Sequence, residues 1–281
     1  MNVPRARFLS ATVFCGVFSV SAGDESGDPF SRYVAENAGF HAYSRVGNGY
    51  ISTSGNISDT EPVAIECISG EVKIGDCGEI GGYVWTISKL HGKCDDTQRR
   101  AFYEFETGVW YRYPWEMAEG WTVDTKICPI WDTCPGIKTS EHVVQEFMVN
   151  QSLENRYLTP YYSFLLGYAP DHWFRTRIGV RKTFEIYENV TLTPYIETVY
   201  SDARRYRLKY GDRPDSFWEG FSSLISVVTL CWNFTENWNV HLIVKQYDLV
   251  GRNARRAISA RREYYQKTDH TLFTLGVGCD F

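Results

Sequence analysis

The chain has 281 residues, 29 basic and 34 acidic side chains and a formal net charge of −5. That acidic balance argues against a nucleic-acid partner. A mean hydropathy of −0.32 stands beside 19 Tyr, 16 Phe and 9 Trp, and no window of 18 apolar residues follows residue 23, so no transmembrane helix is expected.

Residues 1–22 read as an export signal. Arg5 and Arg7 supply a positive start, and Phe8 to Val20 is an apolar stretch shorter than the roughly 20 residues of a spanning helix. Val20, Ser21 and Ala22 offer a small-residue cleavage site, predicting a mature start at Gly23. Cys15 follows Phe14, where a lipoprotein signal needs a small residue. Losing Arg5 and Arg7 lowers the 29 basic groups to 27 against 34 acids, a net of −7. The remaining chain has room for one large all-β domain or two small ones. Residues 23–37 are polar and are expected to form an N-terminal lead.

Twelve strands are predicted after it, over 38–51, 62–74, 79–90, 101–113, 120–128, 142–150, 157–168, 172–186, 189–201, 220–234, 237–249 and 269–281. Most are longer than the 5–6 residues usual in soluble sheets and match the roughly 9–11 that a tilted strand needs to cross a bilayer. Alternation is clear in four of them. Tyr103, Phe105, Val109, Tyr111 and Tyr113 oppose Glu104, Glu106, Gly108, Trp110 and Arg112. Leu158, Pro160, Tyr162, Phe164 and Leu166 oppose Thr159, Tyr161 and Ser163. Phe174, Ile178, Val180 and Phe184 oppose Arg175, Arg177, Gly179 and Arg181, and Val190, Leu192, Pro194 and Ile196 oppose Thr191, Thr193, Tyr195 and Glu197. The first, third, fifth and tenth strands leave their parity open.

The connections after odd-numbered strands (52–61, 91–100, 129–141, 169–171, 202–219, 250–268) are long except 169–171. Those after even-numbered strands (75–78, 114–119, 151–156, 187–188, 235–236) are short. Long outer loops and short periplasmic turns are the rhythm of a transmembrane antiparallel up-and-down β-barrel, here of 12 strands with 10 to 14 open. Aromatic clusters at strand ends fit interfacial girdles: Tyr111, Tyr113 and Trp115; Tyr168 and Trp173; Phe217 and Trp218; Trp232, Phe234 and Trp238.

Four stretches carry a family resemblance. Asn56 to Glu66 joins a polar turn to an acidic-Pro-Val step, Glu61-Pro62-Val63. Gly82-Tyr83-Val84-Trp85 follows, then Leu158-Thr159-Pro160-Tyr161-Tyr162, and Leu275-Gly276-Val277-Gly278 before Phe281. In this order the chain resembles the TorF-type porin family of Gram-negative outer-membrane β-barrels. That family tends to carry an Arg-Gly step in its first strand, where this chain reads Ser44-Arg45-Val46-Gly47-Asn48-Gly49. The last strand also resembles the targeting strand read by the barrel-assembly machinery, with Phe273, Leu275, Val277, Cys279 and Phe281 on one parity as the assembly signal. An even strand count requires it to close the ring against the first strand.

After cleavage the cysteines stand at 67, 77, 94, 128, 134, 231 and 279, with no CxxC and no histidine at a metal-ligand spacing, so no metal or cofactor is expected. Cys94, Cys128 and Cys134 fall in loops or at loop edges, where a pair is compatible with an oxidising periplasm. Cys231 and Cys279 fall within strands as small lipid- or core-facing residues.

If the polar faces point inward, the pore-lining candidates are Glu66, Glu104, Glu106, Arg112, Glu146, Arg175, Arg177, Arg181, Glu197, His241 and Lys245. Acids on strands two, four and six then face bases on strands eight and eleven, a transverse field that orients small polar solutes. Two outer loops are basic, with Arg204, Arg205, Arg207 and Lys209 in one and Arg252, Arg255, Arg256, Arg261 and Arg262 in the other. They are suited to lipopolysaccharide phosphates or anionic solutes.

The function expected is a porin-like channel for small hydrophilic or ionic solutes. Three other readings stay open: a filled structural barrel, an outer-membrane enzyme, and a secreted soluble β-sandwich that binds carbohydrate. The enzyme would need Ser, His and a carboxylate or amide together on the outer surface, and His142 with Ser152 and Asn150, or His172, are the faint candidates.

Overall fold

The computed structural model describes residues 33, 36–51, 57–59, 62–90, 102–133, 143–169, 172–202, 220–251, 255 and 269–281. The predicted signal and nearly all of the lead lie outside them. The chain divides into Met1–Ala38 and Gly39–Phe281, the second holding the sheet described below.

The strands are β1 (Ala38–Gly47), β2 (Tyr50–Ile51), β3 (Ile57–Asp59), β4 (Val63–Lys73), β5 (Glu79–Lys89), β6 (Phe102–Ala118), β7 (Trp121–Thr133), β8 (Val144–Glu154), β9 (Thr159–Ala169), β10 (Trp173–Arg181), β11 (Phe184–Tyr187), β12 (Val190–Ser201), β13 (Gly220–Asn233), β14 (Trp238–Leu249) and β15 (Asp269–Asp280). β2 and β3 form a separate small hairpin. The other thirteen form one antiparallel sheet in which each strand lies beside its sequence neighbour. β10 and β11 both pair with β12 and are two halves of one stave, interrupted at Lys182 and Thr183. The sheet therefore has twelve staves. It closes where β1 meets β15, from His41 opposite Asp280 to Gly47 opposite Thr274. Phe40 and Phe281 then exchange both backbone hydrogen bonds at 2.8 Å.

Several strands extend further than the sequence predicts. β6 runs through Pro114 to Ala118, and β7 runs on to Thr133. The predicted 114–119 turn shrinks to Glu119 and Gly120, with Gly120 at φ 72°, a conformation glycine adopts without strain. β6 outruns β5, whose pairing ends with Glu79 opposite Arg112. Beyond that point β6 has one neighbour, and proline is tolerated on such a free edge. β8 likewise reaches Glu154 instead of ending at residue 150.

The short turns gather at one end of the barrel together with the start of β1 and the end of β15. This end is called the turn end and the opposite one the loop end. The outer face is apolar around the ring: Val109, Ile178, Ile196, Leu242, Leu275 and Val277 are all exposed. At the turn end it carries Tyr111, Tyr113, Trp115, Trp232 and Trp238. Toward the loop end, Phe164, Phe174, Tyr200 and Phe221 form a continuous run across β9, β10, β12 and β13, with centroids 5.4 to 6.1 Å apart. An apolar band between two aromatic belts is the outer surface of a membrane-spanning barrel. Trp173, predicted as part of a girdle, instead points inward and is 1% exposed. Phe217 and Trp218 lie outside the described residues.

On the inner face, bulky rings lie over glycines directly opposite them. Trp173 faces Gly167, Tyr83 faces Gly108, Trp110 faces Gly81 and Tyr161 faces Gly179. A Cβ added to any of the four glycines would collide with the facing ring. The rings therefore lie along the wall instead of projecting across the barrel. Gly167→Val is expected to push Trp173 off its rotamer at a cost of about 1–3 kcal/mol. The temperature at which the compact band converts to the unfolded band on a heat-modifiability gel should fall, and an unchanged temperature would contradict this packing.

Candidate functional site

The interior is built by the second parity of every stave. Arg175, Arg177 and Arg181 on β10, Glu104, Glu106 and Arg112 on β6, Glu146 on β8, Glu197 on β12, and His241 and Lys245 on β14 all share the inward register. Glu66 does not. It is exposed and pairs with Thr86, on the same outer face as Ile68 and Val84. β4 carries apolar residues on both faces, so its charge pattern gives no direction, and Glu66 sits on the outer rim level with Phe105 near the loop end. Cys128, expected at a loop edge, lies within β7, buried and facing inward. Cys231 faces inward opposite His241. Cys67, Cys77, Cys128, Cys231 and Cys279 are not joined in disulfides, and Cys94 and Cys134 lie outside the described residues.

One wall of the interior is basic. Arg45 on β1 donates from Nε to His241 Nε2 at 2.6 Å, and its guanidinium lies 3.8 Å from the centroid of the Tyr43 ring. That bond makes Nε2 an acceptor, so the His241 proton sits on Nδ1, 3.2 Å from Asn239 Oδ1. Gly276 faces both Arg45 and His241 and leaves the room in which they meet, because a Cβ there would come within 2.5 Å of each. Lys245 stands further along β14. Neither Arg45 nor Lys245 has a carboxylate within 4.0 Å among the described residues. Arg177 reaches Glu197 at 3.9 Å and Ser163 at 3.4 Å, and Glu197 accepts from Tyr161 Oη at 2.7 Å.

The opposite wall is acidic. Glu106 on β6 faces Asp132 on β7, and Glu104 lies two residues along β6 on the same face. One carboxylate oxygen from each of the three lies within 4.8 Å of the others. Tyr83 Oη donates to Glu106 Oε1 at 2.6 Å. Glu146, on the next strand, is 4% exposed.

Two of the predicted lining arginines belong to ion pairs at the turn end. Arg112 forks onto Asp124 at 2.9 and 3.0 Å and reaches Glu79 at 3.1 Å. Arg181 meets Glu154 at 2.8 Å, and Ser152 and Thr159 also donate to that carboxylate. His41 bridges Asp280 at 2.7 Å and Glu71 at 3.0 Å, tying β15, β1 and β4 together. These pairs join half-exposed cations to acids that range from partly buried to exposed, and they act as a rim that fixes stave positions.

On the terminal strand, Phe273, Leu275, Val277 and Phe281 are exposed on the outer face, while Cys279 shares their parity but is 4% exposed, opposite Ala42 and Trp238. Of the basic loop residues only Arg255 is described, and it donates to the Leu249 carbonyl. The residues considered for an outer-surface hydrolase do not come together there. Ser152 and Asn150 face inward, Ser152 is bound to Glu154, His172 lies at the loop end, and His142 is outside the described residues.

Sequence reading missed Arg45, Glu71, Asp124, Lys126 and Asp132. Arg45, Asp124 and Lys126 lie on strands of open parity, Asp132 in a segment read as a loop, and Glu71 on β4, which is apolar on both faces. The usable signal was the pairing rule, since directly opposed residues in an antiparallel ladder share a face. Val46 opposite Leu275 puts Arg45 inside.

These features define a closed twelve-stave barrel with a charged interior. The sequence matches no protein-family model and no curated protein. The fold is similar to that of an outer membrane channel from Pseudomonas putida F1, with a TM-score of 0.54 and 6% identity over 87% of this chain and 96% of that one. It is also similar to the NanC porin, with a TM-score of 0.50 and 11% identity over 84% of this chain and 98% of that one. At such identities the likeness is one of fold.

Arg45→Met should leave His241 Nε2 and the Gly276 gap without their donor. An unsatisfied acceptor of this kind costs about 1–3 kcal/mol, to be read as a lower urea midpoint in detergent micelles. A midpoint equal to wild type would show that the pair adds nothing to stability.

Proposed function

We propose that the chain is a porin-like channel that lets small hydrophilic or ionic solutes diffuse across the outer membrane, and that it is not an enzyme. One observation carries this reading. Arg45 and Lys245 face the interior with no carboxylate within 4.0 Å among the described residues. A cation with no counter-charge beside it is not stable in a dry, low-dielectric core, which supports an interior that holds water at their level. Rings that lie flat over glycines leave room for that water, and opposed basic and acidic walls act on ions within it.

The remaining parts of the reading follow from the sequence. Export uses the signal that ends near Ala22. The barrel-assembly machinery reads the strand from Phe273 to Phe281. The turn end faces the periplasm, and the basic loops holding Arg204 to Lys209 and Arg252 to Arg262 meet lipopolysaccharide phosphates. Membership of the TorF-type porins rests on the motifs at Glu61-Pro62-Val63 and Gly82-Tyr83-Val84-Trp85. A second reading, a filled structural barrel, is favoured by the inward apolar clusters. One joins Trp110, Cys128, Ile130, Leu165 and Trp173, and the other joins Tyr50, Val63 and Ile87.

Planar-bilayer recording separates the two. The channel reading expects discrete conductance steps, and neutralising Arg45, Arg177 and Lys245 together should move the reversal potential in a salt gradient toward cation preference. No conductance at any voltage, from protein that shows heat-modifiable mobility, would leave only the filled barrel. Phe281→Ser should lower the amount of folded protein recovered from outer membranes, and wild-type recovery would remove the assembly role given to this residue.

A further inference from the structure

The acidic wall is more than a stripe of charge. Glu104, Glu106 and Asp132 bring three carboxylates onto two adjacent staves, with one oxygen from each within 4.8 Å of the others. The next stave adds Glu146, which is 4% exposed and has no hydrogen bond or ion pair among the described residues. Glu146 lies opposite Ile130, one step along β7 from the Asp132 pair, and faces inward. Glu146 acts electrostatically on Glu106, as do Arg175 and Arg177. Tyr83 holds one oxygen of Glu106 from the side, which orients the carboxylate without neutralising it. Like charges so close together ionise fully only beside a compensating cation.

We propose that Glu104, Glu106, Asp132 and Glu146 form a binding site for a calcium-sized divalent cation inside the barrel near its loop end. The donor set is all oxygen, which selects hard cations over soft ones. Calcium takes about six to eight oxygen ligands in flexible geometry, whereas magnesium keeps several of its waters, so a cluster of protein carboxylates favours the larger ion. The four carboxylates lie on three hydrogen-bonded staves, so a bound cation also clamps β6, β7 and β8 together. Binding cancels the acidic wall and leaves the Arg45, His241 and Lys245 side as the field of the interior, so calcium should turn the lumen toward anions. That consequence rests on the channel reading, whereas the site itself does not.

The test uses the full chain folded in detergent, stripped with EDTA and titrated with Tb3+. Trp85 lies directly opposite Glu106 and Tyr83 touches it, so both sensitise lanthanide emission. The site predicts saturable emission that Ca2+ displaces at much lower concentration than Mg2+. Glu146→Gln and Asp132→Asn should each weaken binding about tenfold or more, while Glu116→Gln at the other end of β6 leaves it unchanged. Emission that is absent, or unaltered in both site variants, overturns the proposal, and equal competition by Mg2+ overturns its calcium-sized selectivity. If Asp132→Asn loses heat-modifiable mobility, Glu146→Gln decides alone. Lost conductance with intact Tb3+ binding counts against the channel only, and intact conductance with no Tb3+ binding counts against the site only.

Discussion

The pairing of the first barrel strand with the last is the contact on which everything else in this molecule depends. In hydrocarbon no water is present to satisfy backbone N–H and C=O groups, so a sheet survives there only when it has no edge. β1 and β15 remove both edges at once, over the register from His41 to Gly47 and through the reciprocal bonds of Phe40 and Phe281. His41 reinforces the seam with its bridge between Asp280 and Glu71. Without that seam the sheet would have no inside, and neither charged wall would face the other.

Closure also sets what the interior can hold. A twelve-stave ring falls between small barrels filled by side chains and the wide 16–18-stranded porins. Large rings fit such an interior only when they lie along the wall, and the opposed glycines at 81, 108, 167 and 179 make that possible. The same device places Gly276 under the Arg45 and His241 pair. Glycine positions on the inner parity thus decide where aromatic mass and charge go. Bases collect on β1, β10 and β14 and acids on the loop-end parts of β6, β7 and β8; β14 stands across the ring from β7, whereas only β9 separates β10 from β8.

Strands with one apolar and one polar face are legible in the amino-acid sequence. β9, β10 and β12 have their inward and outward residues as alternation predicts, and the terminal strand shows its apolar parity outside. β1, β5, β7 and β13 are not legible in this way, for one reason. Their inner faces carry Tyr43, Trp85, Ile130 and Val227, so both parities are apolar and period-two reading loses its contrast. Glu66 and Trp173 mark the same weakness from the two sides: a charge tolerated on the outer rim, and an aromatic ring hidden inside over Gly167.

The sequence by itself determined an up-and-down meander of about 10 to 14 staves, with twelve expected, and its order. Strand length, loop rhythm and alternation are local properties, and an up-and-down meander has few other ways to close. Only the tertiary structure decided which residues act on one another. Arg45 and His241 are brought together by closure of the ring, and Asp132 joins Glu104 and Glu106 only because the β6–β7 register extends past the predicted strand end. Register is a long-range outcome of hydrogen-bond pairing and inner packing, and a shift of one residue would turn every one of these side chains to the outer face.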